Sequence, residues 1–428
     1  MSRDRLRVLF CDHLNIARGK LLPASKIGDG AARFCRGTFG VTYDKALIPA
    51  PGAGLESGLP DMEAVYSGAD VRAGWEPGTR VVVADLQATD GTPLPMCGRS
   101  ALRRAIADWR ALGLDPMVGI ELEAFAFQVQ PDGSLVPYDT PASHVYATGV
   151  FADPRGFTDA IWSTAEAAGF RIDSLHSEYD SPQFEFTLTY DHALRAVDDI
   201  FLFRLLAREV AIRHGIVLTF LPKPIAGLGG SGVHVNVSLR DADGRNVIDG
   251  GGDPQRMNAT TRGCLAGLMA HHQGLAGLAA PCVNSYERLK PASMSGYWRN
   301  WGVDHRGVTV RVGAEEGESA RLEHRMGDGA ANPYTLVAAV LQAARLGVVH
   351  DCPLPPAETG DGFEHTEAEV GVADDLGGAL DALLADTALV EAVGAGLVAN
   401  HVAVKRDEIA KCAGRDHDGV RDYYIRHL

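Results

Sequence analysis

The cleanest alternation of apolar and polar positions runs through Ser231-Gly-Val-His-Val-Asn-Val-Ser238. Val233, Val235 and Val237 fall on one side of a period-two strand, and His234, Asn236 and Ser238 fall on the other. The run Met117-Val-Gly-Ile-Glu-Leu-Glu-Ala-Phe-Ala-Phe127 behaves likewise, with Glu121, Glu123, Phe125 and Phe127 sharing a side. The pattern predicts strands over 6–10, 80–86, 117–129, 183–190, 216–221, 232–240, 307–313 and 320–326. It predicts helices over 100–112, with Ser100 as N-cap, and over 154–168, 191–214, 255–279, 332–348, 376–386 and 388–412. A Gly/Pro-rich region between the first two strands, including Pro49-Ala-Pro-Gly-Ala-Gly54, reads mainly as loop. The class is α+β, with a largely antiparallel sheet whose open face carries polar groups. A boundary near residues 95–99 divides the chain into 1–96 and 97–428.

The 428 residues suffice for two domains, and 46% hydrophobic content is ordinary for a soluble globular chain. A net charge of −15 disfavours broad nucleic-acid or anionic-membrane binding, which needs a basic footprint. The seven cysteines are scattered and include no C-x-x-C, so they read as free thiols in a reducing cytosol. The N-terminus Met1-Ser-Arg-Asp-Arg5 lacks an apolar signal core, and no run reaches membrane-spanning length. A cytoplasmic protein is expected.

Five short stretches then carry the chemistry: Gly119–Glu123, Glu178–Glu185, Gly230–Asn236, Asn284–Arg288 and Arg321–Arg325. Glu121 and Glu123 sit in a strongly apolar run, where carboxylates are rarely buried without partners. Glu178 and Glu185 flank a Ser-Pro-Gln turn and alone would read as an ordinary acidic turn. His234 alone would read as a structural histidine, yet Gly229, Gly230 and Gly232 before it point to a close approach of backbone to a ligand. Gly227-Leu-Gly-Gly-Ser-Gly232 spells G-x-G-x-x-G, but it enters a strand rather than a helix, so it is no dinucleotide fingerprint. His271-His272 reads as structural and the acidic stretch 357–375 as a solvated loop. Arg288, Arg306, Arg311, Arg321 and Arg325 could be surface scatter. Arg321, Glu323 and Arg325 share a strand face, however, and such guanidinium pairs suit phosphate or carboxylate.

Taken in order, these motifs resemble the glutamine synthetase family. The likeness runs from Asp12-His-Leu-Asn-Ile-Ala-Arg-Gly-Lys20 through Ala330-Ala-Asn-Pro-Tyr334 to Tyr424-Ile-Arg-His-Leu428. The resemblance implies an N-terminal β-grasp domain, 1–96, and a catalytic domain, 97–428, built around a funnel of antiparallel strands. It implies two stacked hexameric rings with active sites between subunits. Glu123, Glu178 and Glu185 match the ligands of one metal, and Glu121, His234 and Glu323 those of a second, the metal being Mg²⁺ or Mn²⁺. Arg288, Arg325, Gly230 and His234 match the glutamate site. Arg306 and Arg311 match phosphate-binding arginines, while Asp173, Ser238 and Arg321 match the ATP region. Asp44 matches an aspartate lent by a neighbouring subunit. Arg306, Glu323, Arg325 and Asp44 are the implied catalytic set.

Some positions depart from the family pattern. Ammonia-using members carry a glutamate on a flap, six residues after the arginine of N-S-Y-x-R; here that position is Met294. A second histidine is replaced by Asn236, and an asparagine before Gly-Ser-Gly by Gly229. The tyrosine that some members adenylylate has no counterpart, since no Tyr lies between Tyr334 and Tyr423. The expected activity is therefore ATP-dependent joining of glutamate to an organic amine through a γ-glutamyl phosphate. The rivals are glutamine synthesis from ammonia, a non-catalytic regulatory paralogue, and a guanidino kinase.

Overall fold

A computed structural model describes residues 4–251, 256–363 and 366–428. Its centre is a nine-stranded sheet. In spatial order the strands are Ile172–Ser177, Gln183–His192, Asp115–Val129, Val233–Arg240, Leu322–His324, Val310–Val312 and Trp301–Val303; Ile216–Thr219 and Leu135–Pro137 pair with the far end of Asp115–Val129. Every pairing is antiparallel except that of Trp301–Val303 with Val310–Val312.

The alternation read from sequence decides which face is buried. Ile120, Leu122, Val233, Val235, Val237 and Leu322 enter a core shared with the helices Gly98–Ala111, Ala193–Arg213, Ala259–Ala270 and Pro333–Val349. Slipping any of these strands by one residue would turn charges into that core, so burial fixes the register. Phe125 and Phe127 lie on the opposite side, as expected of the Glu121 face. They pack instead into a second core with the N-terminal strands and the C-terminal segment around Tyr424.

Helix starts follow local chemistry. Asn332 caps Pro333–Val349 by accepting from the N–H groups of Tyr334 and Thr335, with Pro333 in the first turn. The helix expected from Ser100 begins earlier, at Gly98, with Cys97 as N-cap and no side-chain cap. A Cβ on Gly98 would come within 2.9 Å of the Asn332 Oδ1, so this start is set by helix packing rather than capping. The helix expected over 255–279 is two, Ala259–Ala270 and His272–Ala279; residue 255 lies outside the described residues. The one expected over 388–412 is broken at Gly394, whose φ is 118°, into Thr387–Val393 and Ala395–Cys412.

The N-terminal region departs most from expectation. The stretch read as loop contributes strands Ala17–Pro23, Gly30–Cys35, Asp61–Tyr66 and Arg72–Ala73, and the strand expected over 80–86 is two, Thr79–Val83 and Asp85–Ala88. With Arg5–Cys11 they build one four-stranded and one three-stranded sheet. The acidic stretch 357–375 forms no helix or strand among its described residues, but it is docked rather than free. Glu358 N–H donates to Trp301 O, Arg299 N–H donates to Val370 O, and Val372 is buried; residues 364–365 lie outside the description, as do residues 1–3 of the N-terminus. No single helix among the described residues is long and apolar enough to cross a membrane.

Leu122 is fully enclosed between two glutamates that face the other way. Leu122→Ala should cost about 2–5 kcal/mol, the usual penalty for a buried cavity. A drop in melting temperature relative to wild type, by calorimetry at matched protein concentration, is the expected reading; an unchanged value would contradict the buried register.

Candidate active site

The site is written in the cross-strand register. His176 lies opposite Glu185, and Glu185 opposite Glu123. One rung along, Thr187 lies opposite Glu121, and Glu121 opposite His234. On the next rung Gly119, Asn236, Glu323 and Arg311 stand in a row across four strands. Directly opposed residues share a face, so the three rungs place all these side chains on one surface.

The carboxylates there are partly compensated. His234 Nδ1 lies 2.9 Å from Glu121 Oε2 and 3.6 Å from Glu323 Oε1, and its Nε2 lies 3.7 Å from Glu123 Oε1. Glu323 also pairs with Arg325 and, at 3.2 Å, with Arg311. Burial and the Arg325 charge press the His234 imidazole toward neutrality. The Glu121 hydrogen bond and the charges of Glu123 and Glu121 more than offset them, so it titrates above its ordinary value. Glu121 is held below the usual carboxylate range, because hydrogen bonds from His234 and Asn236 and the Arg325 charge outweigh its burial. Glu178 is pushed up, first by burial and then by the adjacent Glu185 charge.

Two sets of donor atoms converge. Those of Glu121, Glu185 and His234 lie within 4.8 Å of one another, as do those of His176, Glu178 and Glu185. Carboxylate oxygens with one imidazole in each set suit a hard divalent cation, and repulsion between Glu178 and Glu185 is what such a cation would relieve. A cation on these donors would favour the neutral His234 imidazole over its protonated form.

Two pockets meet at this face. One of about 460 Å³ is lined by Glu121, Glu123, Glu178 and Glu185, by His176 and His234, by Arg306, Arg311, Arg321 and Arg325, and by Tyr146, Tyr179 and Met294; Glu323 lies behind Arg311 and Arg325 and lines neither pocket. The other, of about 330 Å³, is lined by Met117, Ile120, Leu188, Ser238 and Glu318 among others. Glu121, Asp173, Thr187 and Arg321 belong to both. Arg321 bridges from Glu315 to the Asn236 Oδ1, at 3.1 and 3.2 Å, while the Asn236 amide donates to Glu121.

Three candidate residues lie elsewhere. Arg288 lines neither pocket: its guanidinium is buried and donates to the carbonyls of Met326 and Arg325 at 3.0 and 3.2 Å. It fixes the backbone that carries Arg325. Gly230 and Gly232 owe their size to that arginine. A Cβ would meet Arg288 Cγ at 2.7 Å from Gly230 and Arg288 Nη2 at 2.6 Å from Gly232. At Gly230 the Pro222 carbonyl stands as near, at 2.6 Å, so the close approach anticipated at these glycines is to atoms of the same chain. Asp44 is held at the surface by Thr42 and, at 2.7 Å, by Lys411. His271 and His272 serve structure, bonding Asp386 and the Tyr297 carbonyl.

Sequence reasoning missed His176 and Gln183. His176 sits on the Ile172–Ser177 strand, 3.3 Å from Glu185 Oε1. Gln183 donates to Glu123 Oε2 and to the Gly230 carbonyl, both at 3.1 Å, and Gly232 N–H reaches the same Glu123 oxygen at 2.7 Å. The available signal was position: His176 is two residues before Glu178 and Gln183 two before Glu185.

Residues 95–424 match the family model of the glutamine synthetase catalytic domain. The chain belongs to the glutamine synthetase family. A glutamine synthetase of Clostridium saccharobutylicum is 31% identical over 363 residues, covering 80% of this chain and 79% of that one. One from Halobacterium salinarum is 29% identical over 435 residues, 99% of this chain and 93% of that one. Among solved structures, a novel glutamine synthase homolog superposes with a TM-score of 0.85 at 26% identity, covering 99% of this chain and 98% of that one. A GmaS/ADP complex superposes with a TM-score of 0.83 at 28% identity, covering 97% and 95%. The protein is an ATP-dependent ligase of this family.

Gln183 touches no substrate space, so its part is positional. Gln183→Leu should weaken Mn²⁺ binding by roughly 10–100-fold, the usual cost of losing a group that orients a ligand. Titration calorimetry with Mn²⁺ reads it directly, and unchanged affinity would mean that Glu123 needs no such support.

Proposed function

We propose that the protein joins the γ-carboxylate of glutamate to an organic amine, with ATP as the energy source. The observation that carries this reading is Met294. It stands exposed on the 460 Å³ pocket, where ammonia-using relatives would carry a flap carboxylate. A thioether cannot hold an ammonium ion or accept its proton, but it packs against carbon. The likeness to GmaS, a gamma-glutamylmethylamide synthetase, supports an amine substrate.

In the first step a γ-carboxylate oxygen attacks the γ-phosphorus of ATP. An O–P bond forms, the bridging P–O bond breaks, and ADP leaves. In the second step the amine nitrogen, having lost one proton, attacks the γ-carbonyl carbon. The C–N bond forms, the C–O bond to phosphate breaks, phosphate leaves, and the nitrogen sheds a second proton. Mg²⁺ or Mn²⁺, held by Glu121, Glu123, Glu178, Glu185, His234 and Glu323, would supply charge neutralisation for the phosphate oxygens. Arg306 and Arg311 would hold the transferring phosphoryl group, and Arg325, fixed by Arg288, the glutamate. Asp173, Ser238 and Arg321 would bind the nucleotide across the two pockets. Gly230 would shape the glutamate side through its carbonyl bond to Gln183.

The reading extends to assembly and location. Asp44 lines neither pocket of its own chain and pairs with Thr42 and Lys411, which fits a residue lent to a neighbouring subunit in a ring, two hexameric rings being the expected form. The segment 1–96 would then be the β-grasp domain that carries it, with 97–428 as the catalytic domain. Seven unpaired cysteines fit a reducing cytoplasm.

ATP-dependent phosphate release over ammonia and about twenty amines tests the substrate. Amines should exceed ammonia in kcat/KM, and Met294→Glu should move the ratio toward ammonia. Ammonia equal to or above every amine would make this a plain glutamine synthetase. Assembly is tested by mixing Asp44→Ala and Arg325→Ala chains, each inactive alone. Co-assembled particles should regain part of the activity, and none regained despite proven co-assembly would place the whole site within one subunit.

A further inference from the structure

Large apolar side chains left in water collect at one place on the carboxylate pocket. Tyr179 is 80% exposed, Tyr146 64%, Met294 51% and Val145 39%, and all four line the same 460 Å³ space. Single exposed hydrophobics need no explanation, whereas a group of them rimmed by charge marks a binding surface.

The backbone presents them there. Tyr146 and Met294 have φ of 64° and 51°, a region that carries a local cost for residues other than glycine. Tyr146 N–H donates to the Ser177 carbonyl, and Tyr179 N–H donates to Glu178 Oε2 at 3.0 Å. The two tyrosines therefore bracket Ser177-Glu178. The Tyr146 ring also meets His176 edge to face at 5.0 Å, which anchors it beside the donor set of His176, Glu178 and Glu185. None of the four side chains carries a charge that could hold a second ammonium group.

We propose that the amine substrate carries an uncharged apolar body, an aryl or extended alkyl group, that packs on Tyr146, Tyr179 and Met294. This rests on the ligase reading above. The amino nitrogen reaches the carboxylate side and makes the C–N bond as phosphate leaves. The apolar body takes no part in bond-making and supplies binding only.

The test uses the full-length enzyme with glutamate, ATP and Mg²⁺, and reads phosphate release with methylamine, ethanolamine, putrescine, isobutylamine, benzylamine and phenethylamine. Benzylamine or phenethylamine should exceed methylamine in kcat/KM by roughly tenfold or more, the scale of discrimination an apolar pocket achieves. Tyr179→Ser should lower the benzylamine-to-methylamine ratio by roughly tenfold, and Tyr146→Ser should do the same. Methylamine, ethanolamine or putrescine as the best substrate would overturn the proposal and leave the ligase reading standing. An unchanged ratio in both variants would overturn it too. If Tyr179→Ser instead lowers the particle mass in light scattering at an unchanged ratio, the patch is an interface between copies and the proposal fails. No phosphate release with any amine, or release only with ammonia run alongside them, would sink the amine-ligase reading itself.

Discussion

The structure depends on like charges being forced together on one sheet face. Glu185 stands on the strand beside that of Glu121 and Glu123, Glu323 stands two strands further on across Val233–Arg240, and Glu178 follows the end of Ile172–Ser177; the cross-strand register turns their side chains to one face. Two unit charges 4 Å apart in a partly buried setting repel by about 4 kcal/mol. The apolar face behind them supplies the counterweight, since Leu122, Val235 and Leu322 can reach the core only in the register that crowds the carboxylates. His234, Arg311 and Arg325 offset part of the repulsion from within the chain. Glu178 and Glu185 still repel each other beside His176, and a cation between them would relieve that repulsion.

On the proposed reading the same face would sort substrates by charge and by apolar contact. Guanidinium groups at 306, 311, 321 and 325 suit phosphate and carboxylate oxygens, and the 330 Å³ pocket beyond Glu121 adds apolar walls from Met117, Ile120 and Leu188. The remaining lining, Tyr146, Tyr179 and Met294, offers no fixed charge. A chamber with these three kinds of wall fits a reaction that brings together a polyphosphate, an amino acid and a third component that is mostly carbon.

Much of this was legible in the chain before any coordinates. A period of two sends Glu121 with Glu123, and His234 with Asn236, to one face without knowledge of their neighbours. What the sequence could not state is which strand lies beside which. The rung of His176, Glu185 and Glu123 exists only once three strands are paired, so His176 and Gln183 went unseen. The strands between residues 17 and 73 were hidden for another reason. They are short and set among Gly- and Pro-rich turns, so length did not announce them. The runs around His271 and Gly394 read as single helices by length and apolar content, but Gly394 adopts a φ of 118°, outside the helical region, and His271 closes one helix and opens the next. Arg288 carried the right chemistry for a ligand, but burial committed it to its own backbone.

The central claim is that the crowded carboxylate face is a two-metal site. Titration of the metal-free protein with Mn²⁺, followed by calorimetry in buffers of different ionisation enthalpy, tests it most directly. The account predicts two Mn²⁺ bound per chain, with proton release that diminishes as pH rises, and loss of at least one of the ions in Glu185→Ala, whose carboxylate belongs to both donor sets. Stoichiometry below two, or two ions still bound in Glu185→Ala with unchanged affinity, would contradict it.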